Sequence, residues 1–91
     1  MVIRFKESFV RRLEIQIAFI ALDSPLRAAK FKQDLFDKIK RIPANPHAFR
    51  KSRYFDDENI RDLVFKGYCI VFRINQKSIE VFGLLKFQNR L

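Results

Sequence analysis

The clearest hydrophobic pattern lies in residues 60–86, towards the C-terminal end of the sequence. This segment is rich in β-branched and aromatic residues, lacks proline, and is interrupted at Lys66-Gly67 and again at residues 75–77. Short apolar runs separated by turn residues are typical of neighbouring β-strands joined by tight turns. The pattern therefore predicts a three-stranded meander, which needs another element to cover its apolar face.

The preceding segment predicts two amphipathic helices. Apolar positions recur at helical spacing over about residues 9–22, and Ser8 is a suitable N-cap for this first helix. Ser24 and Pro25 then favour the start of a second helix, which we expect to cover about residues 25–42. Because the link between them is short, the two helices should form an antiparallel hairpin.

The end of the first helix is unusual because residues 15–22, with the sequence IQIAFIAL, are apolar nearly all round. A helix of this kind is buried by several elements or covered by a partner.

The order of the predicted elements indicates the fold class. Residues 2–6 alternate between apolar and polar and predict a first strand beside the meander, while residues 43–59 form a long connection. The resulting order, β-α-α-β-β-β, predicts an α+β fold in which the helical hairpin packs on a small, mainly antiparallel sheet. The length suits one domain over residues 1–91.

The charge and the cysteine content narrow the classes of partner. Nineteen Lys and Arg against ten Asp and Glu give a net charge of +9, which favours nucleic acid, a nucleoprotein machine or an acidic protein as partner. The single cysteine, Cys69, has no intramolecular disulfide partner, is expected in the core, and fits a reducing cytoplasm. We find no membrane-spanning or signal segment, so we expect a cytoplasmic protein.

The sequence offers few groups for catalysis. His47, the only histidine, has no cysteine or carboxylate at metal-ligand spacing. There is no Gly-rich phosphate loop, nucleophile elbow or metalloprotease helix, so we expect no metal, no cofactor and no small-molecule substrate. Clustered Arg and Lys side chains can still bind a phosphodiester and stabilise developing charge, which keeps a nuclease function open.

A set of short stretches, in order along nearly the whole chain, carries a resemblance to a known family. The stretches are Asp23-Ser24-Pro25, Ala28-Ala29, Phe31, Ile39, Ile42-Pro43, Pro46, Ile60-Arg61-Asp62-Leu63, Gly67-Tyr68, Ile70-Val71-Phe72-Arg73-Ile74 and Ile79-Glu80-Val81. Together they resemble the ParE branch of the RelE/ParE superfamily, the toxins of type II toxin–antitoxin modules. The resemblance implies the same fold and a cognate antitoxin, encoded nearby, whose C-terminal segment wraps and neutralises the toxin in a hetero-oligomer.

The resemblance implies one of two activities. RelE-like toxins cut messenger RNA in the ribosomal A site with basic residues and often a C-terminal tyrosine, whereas ParE-like toxins lack this set and poison DNA gyrase. Here the corresponding positions hold Ile60, Asp62 and Cys69, and no tyrosine follows Lys86. An acid at such a site would repel the phosphodiester. We therefore predict a non-enzymatic toxin that inhibits gyrase, with a ribosome-dependent mRNA endoribonuclease or an inactive antitoxin-binding relic as alternatives.

The resemblance and the helical pattern suggest candidate contact residues, with no catalytic residue among them. The candidates for target binding are Arg61, Arg73, Lys86, Gln88 and Arg90. The candidates for antitoxin binding are Leu13, Ile17, Ile20, Phe31 and Leu35. An endoribonuclease with a rearranged basic site would instead use Arg50, Lys51, Arg53, Arg73 and Lys86. Arg61 matches a position that ParE-like toxins usually fill with Arg, and its alternative role is a salt bridge with Asp62 or a loop carboxylate.

Overall fold

The helical hairpin and the meander predicted from the sequence are both present in the computed structural model, which describes residues 1–86. The elements in chain order are β1 (Val2–Phe5), α1 (Glu7–Asp23), α2 (Pro25–Lys40), two 3₁₀ turns (Ile42–Ala44 and Pro46–Ala48), β2 (Arg50–Lys51), β3 (Ile60–Phe65), β4 (Tyr68–Ile74) and β5 (Ser78–Lys86). The predicted α+β class and the order of the two helices before the meander are therefore confirmed.

The five described strands form one mixed sheet in the order β1-β5-β4-β3-β2. β1 runs parallel to β5, and the other three pairings are antiparallel, as expected for a mainly antiparallel sheet with the first strand at one side. The sequence did not predict β2, which lies in the long connection. This two-residue strand, Arg50–Lys51, is held by backbone pairing to β3 and has no apolar alternation to reveal it.

A two-residue turn joins β3 to β4. Lys66 and Gly67 have φ angles of 46° and 81°, both in the left-handed region, and Phe65 is paired with Tyr68 across the turn. Two-residue hairpin turns of this hand match the twist of the flanking strands. Glycine adopts such a φ angle without steric cost, which explains its place at the second position.

A β-bulge shifts the alternation within β5. Val71 of β4 lies opposite Gly83, but the next residue of β4 lies opposite Val81, so Phe82 is the extra residue. As a result Val81 and Leu84, three positions apart, both belong to the core beneath the helices. A Cβ atom added to Gly83 would lie only 3.0 Å from the Cβ of Val71, so glycine permits close approach of these strands.

The helices cover one face of the sheet. The apolar stripe of α2 is buried: Ala28, Phe31, Leu35 and Ile39 lie in the helix. Ile42, which the sequence placed at the helix end, is also buried but lies in the first 3₁₀ turn. From the sheet this core takes Leu63, Phe65, Ile70, Phe72, Ile74, Ile79, Val81 and Leu84. The hairpin therefore provides the cover that the meander requires.

The two predicted helix caps have different outcomes. The Ser24 hydroxyl accepts a hydrogen bond from the backbone N–H of Arg27 at 3.1 Å, which confirms the cap of α2. The prediction for Ser8 is wrong, because Lys6 occupies the N-cap position of α1. The Ser8 hydroxyl instead donates to the carbonyl of Phe82 at 3.1 Å, since β1 runs directly into α1 beside β5.

The second face of the sheet, opposite the helices, carries a smaller apolar cluster. Ile60, Cys69 and Val71 are buried there, as predicted for Cys69, and Phe82 and Leu85 pack against them. The connection between β2 and β3 folds over this face, with the ring of Phe55 at 5.5 Å from the ring of Phe82. None of the helices within residues 1–86 has the length and hydrophobicity that a bilayer crossing requires.

Candidate partner-binding surfaces

Four large apolar side chains are exposed around the tip of the helical hairpin. Ile15, Phe19, Leu22 and Leu26 have relative exposures of 63, 63, 86 and 81%. The first three are spaced by four and three residues, so they lie along one side of α1, and Leu26 lies in the first turn of α2. We call these four residues the hairpin stripe. The apolar segment 15–22 had signalled it, because the sheet buries only one side of a helix.

The residues predicted to bind the antitoxin divide into two groups. Leu13, Phe31 and Leu35 are buried in the core between the helices and the sheet. Ile17 and Ile20 are half-buried and pack against the same core. Of these five candidates, a partner docked on the hairpin surface would contact only Ile17 and Ile20 directly, because the most regular apolar stripe of each helix faces the protein's own sheet.

Charged side chains border the hairpin stripe. A groove of about 510 Å³ runs beside Phe19 and Leu22, and Asp23 and Arg27, which form an ion pair, line its other side. Farther along α2, Asp34 contacts Lys30 of the same helix and Lys66 of the β3–β4 turn, with Nζ to Oδ2 distances of 3.3 and 3.2 Å. The hydrogen bonds from Lys66 and then Lys30 lower the pKa of Asp34. The rim is thus polar and largely ion-paired around an apolar centre.

Arg61, a predicted target-binding residue, is used inside the protein. Its guanidinium donates to the carbonyls of Glu58, His47 and Phe49 at 2.9, 3.2 and 2.9 Å. It also forms an ion pair with the Glu58 carboxylate at 3.7 Å, and only 11% of the side chain is exposed. This geometry matches the alternative role with a loop carboxylate rather than with Asp62. Arg61 joins the long connection to β3.

Arg73 lies on the second face of the sheet between two carboxylates. Its guanidinium is 3.6 Å from Asp57 and 3.9 Å from Glu80, and it lies over the ring of Phe82 at 5.9 Å. Lys86 lies at the end of β5 beside α1, on the helical side of the sheet. These two predicted target-binding residues are therefore on opposite faces.

The remaining predicted target-binding residues, Gln88 and Arg90, lie outside the described residues. Arg61, Arg73 and Lys86 do not come together: the first lies under the long connection, the second on the second face and the third beside α1. The candidates that can be located therefore do not form one contiguous site.

Asp62 forms a buried clamp that the sequence did not reveal. Its side chain is fully enclosed, and Oδ2 accepts hydrogen bonds from Arg50 Nε at 3.3 Å, Arg50 Nη2 at 3.2 Å and the Arg53 backbone N–H at 3.0 Å. Oδ1 is buried without a hydrogen-bond partner within residues 1–86. The clamp fastens β2 and the start of the loop to the second face. Only the β2–β3 register, which brings Arg50 opposite Asp62, could have predicted it.

Cys69 lies beside this clamp, with its Sγ atom 4.0 Å from Arg50 Nη2. Burial and the negative charge of Asp62 raise the pKa of the Cys69 thiol to about 11. The thiol is therefore protonated at neutral pH, whereas a nucleophilic cysteine requires the thiolate. Within the part of the chain that the structure describes, no three His, Cys, Asp or Glu side chains lie together as a set of metal ligands.

Comparison with known proteins identifies the class to which this fold belongs. The family model of the ParE toxin of the type II toxin–antitoxin system, parDE, matches residues 3–89. A chain in a solved structure of the chromosomal ParDE TA system from P. aeruginosa is 18% identical in sequence. The match covers 97% of both chains, with a TM-score of 0.78. No curated protein sequence matches significantly.

The protein is thus a small α+β toxin of the kind that the sequence resembled. Because the family model spans nearly the whole sequence, the chain belongs to the ParE toxin family of type II toxin–antitoxin systems. The structural similarity shows that it shares the fold of the P. aeruginosa chain.

Proposed function

We propose that this toxin is neutralised by a cognate antitoxin that docks on the hairpin stripe, and that the free toxin arrests growth by binding and inhibiting DNA gyrase. The observation that carries the antitoxin half is the exposure of Ile15, Phe19, Leu22 and Leu26 on one surface. Covering each such side chain contributes roughly 1.5–3 kcal/mol. An amphipathic helix with its own apolar stripe is the partner that such a surface fits.

Action by binding is supported by what occupies the positions of the RelE-type basic residues. Ile60, Asp62 and Cys69 are all buried on the second face beneath the β2–β3 connection. The one charge among them is negative and is clamped by Arg50. None of these three positions therefore holds a cation that could stabilise the transition state of a phosphodiester.

Ion pairing weakens part of the rearranged basic site of the endoribonuclease alternative. Arg50 is engaged with Asp62, and Lys51 Nζ lies 3.5 Å from Glu58. Arg73 contacts two carboxylates on the same face. Cations that already have carboxylate partners neutralise little additional charge on a bound RNA backbone. Arg53 and Lys86 form no ion pair among residues 1–86, but Lys86 lies on the opposite, helical face of the sheet. The ribosome-dependent reaction therefore has less support than inhibition of gyrase by binding, for which the family resemblance is the support.

Induced expression of the toxin alone tests the target. We expect growth to stop, reporter plasmids to lose negative supercoils, and purified toxin to inhibit supercoiling by gyrase in vitro. Ribosomes translating a defined message in the presence of the toxin should show no new cuts by toeprinting. Unchanged supercoiling together with new cuts at the ribosomal A site would replace gyrase with the ribosome as target. Normal growth together with intact antitoxin binding would indicate the inactive relic.

A further inference from the structure

Among the described residues, two cations and no carboxylate line a groove between α1 and the ends of β4 and β5. Its volume is about 230 Å³, and its lining consists of Arg12, Ile15, Gln16, Tyr68, Leu84 and Lys86. Arg12 and Lys86 are both exposed, and neither has a carboxylate within ion-pair distance among residues 1–86. By contrast, the neighbouring Arg11 is paired with Glu7 one turn earlier in α1.

The polar groups of this groove are arranged as donors. Tyr68 donates its hydroxyl proton to Gln16 Oε1 at 2.8 Å, which leaves the Gln16 amide NH₂ free to donate. Arg12 Nη1 donates to the carbonyl of Leu84 at 3.4 Å, which orients the guanidinium and leaves most of its N–H groups free. A guanidinium, an ammonium and an amide are suited to a carboxylate ligand. Glu7, which lines a separate groove with Arg12, is already paired with Arg11.

A second basic groove on the helical side of the protein shows why this one is distinctive. The groove between α2 and the β3–β4 turn is lined by Lys38, Arg41 and Lys66, but Asp34 and Asp37 lie among them. Its charge is therefore partly neutralised within the protein. The Arg12–Lys86 groove keeps its positive charge for a ligand.

The groove is continuous with the hairpin stripe, because Ile15 belongs to both. From Arg12 to Phe19 the axis of α1 advances about 10 Å, given a rise of 1.5 Å per residue. One short segment of a partner can therefore place apolar side chains on Ile15 and Phe19 and an acidic side chain between Arg12 and Lys86. We propose that this groove is the subsite for a Glu or Asp carboxylate of the antitoxin, which rests on the proposed antitoxin docking.

The test compares two double variants that remove the same charge. Arg12→Gln/Lys86→Gln empties the groove of cations, whereas Lys32→Gln/Lys38→Gln removes two exposed cations of α2 that have no carboxylate within ion-pair distance among residues 1–86. The probe is the purified product of the reading frame beside the toxin gene. We expect the groove variant to bind about tenfold or more weakly and with a shallower salt dependence. The control should stay within about twofold of the wild type.

The outcomes separate the subsite from the proposed function. If wild-type toxin binds and both double variants lose affinity equally, general electrostatic attraction explains the effect and the subsite is wrong. If the groove variant binds like wild type, the subsite is wrong while antitoxin docking stands. If wild-type toxin does not bind the probe, the proposed function and the subsite both fail.

Two further measurements exclude a trivial loss of folding. The thermal melting of each variant should match that of the wild type, and Lys86→Gln alone, a change at an exposed strand end, should already weaken binding. A charge reversal tests the carboxylate itself. The affinity that the Arg12→Glu toxin loses should be restored by a Glu→Arg or Asp→Arg change at one position of the antitoxin. Failure of every such reversal to restore affinity would overturn the assignment of a carboxylate to this groove.

Discussion

Replacing Asp62 with asparagine tests the buried clamp that holds the long connection on the second face. The substitution keeps the side-chain shape but removes the charge that Arg50 meets at 3.2 and 3.3 Å. It also introduces an amide NH₂ in a fully enclosed position where Oδ1 already has no partner within residues 1–86. An unpaired buried polar group and an uncompensated charge both lower the free energy of unfolding.

The magnitude follows from the exposure of the two partners. Breaking a fully buried ion pair costs about 3–5 kcal/mol. Because the Arg50 side chain is 32% exposed and can turn towards water, we expect a smaller loss, about 2–3 kcal/mol. For a chain of this size, that loss corresponds to a fall in melting temperature on the order of 10–20 °C.

Urea unfolding followed by circular dichroism measures this loss. Cys69 provides a second, local readout, since it is the only cysteine and lies buried beside the clamp. Loosening of β2 and the following loop should accelerate its labelling by a thiol reagent more than global unfolding alone does. The control is Asp37→Asn, because Asp37 pairs with Lys40 on the exposed side of α2 at 3.9 Å and should cost less than about 0.5 kcal/mol. Equal stability of the two variants would refute the clamp.

Three further predictions concern the core, the bulge and the thiol. Leu35→Ala should lower the free energy of unfolding by about 2–5 kcal/mol, because Leu35 is fully buried in the core. Leu22→Ala, at the exposed tip, should change it by less than about 0.5 kcal/mol, and urea titrations of the two variants measure the difference. Gly83→Ala should cost about 1–3 kcal/mol because the new Cβ would lie 3.0 Å from Val71 Cβ and 3.2 Å from Val71 Cγ2. Val71→Ala removes Cγ2 but keeps Cβ, so it should relieve only the smaller part of that cost in the double variant. Because the pKa of Cys69 is raised to about 11, the unfolded chain loses its thiol proton first as the pH rises. The Cys69 contribution to the free energy of unfolding should therefore fall by about 2 kcal/mol between pH 9 and 11, measured as the difference in pH dependence between wild type and Cys69→Ala.

The helices and the meander could be predicted because their patterns are local. The apolar positions of α2 recur at one period and face one sheet, and Ser24 and Pro25 mark its start. β2 could not be predicted, because its two residues are both charged and have no hydrophobic pattern. Only their backbone pairing with β3 makes them a strand. The start of α1 could not be predicted from Ser8, because its hydroxyl donates to a carbonyl 74 residues away, in β5, rather than capping the helix.

The candidate contact residues were less predictable because their exposure depends on contacts between segments that are distant in the sequence. A helical pattern indicates which positions are apolar, but only the packed structure shows which apolar side meets the sheet. Leu13 therefore lies in the core, while Ile15 and Phe19, from the same helix, are exposed. Arg61 is likewise a target-binding candidate in the sequence, but carbonyls of two loop segments bind its guanidinium.

The affinity of the antitoxin for a hairpin-stripe variant tests the central claim most directly. Phe19→Asp/Leu22→Asp places two carboxylates on exposed positions of α1. The control for each single Asp variant is its counterpart on the second face, Val64→Asp, which places one carboxylate at an exposed apolar position. Loss of two apolar contacts should weaken binding of the adjacent gene's product at least about 100-fold. Val64→Asp should bind like wild type, and all variants should remain folded. Undiminished binding by the Phe19→Asp/Leu22→Asp variant would contradict the account.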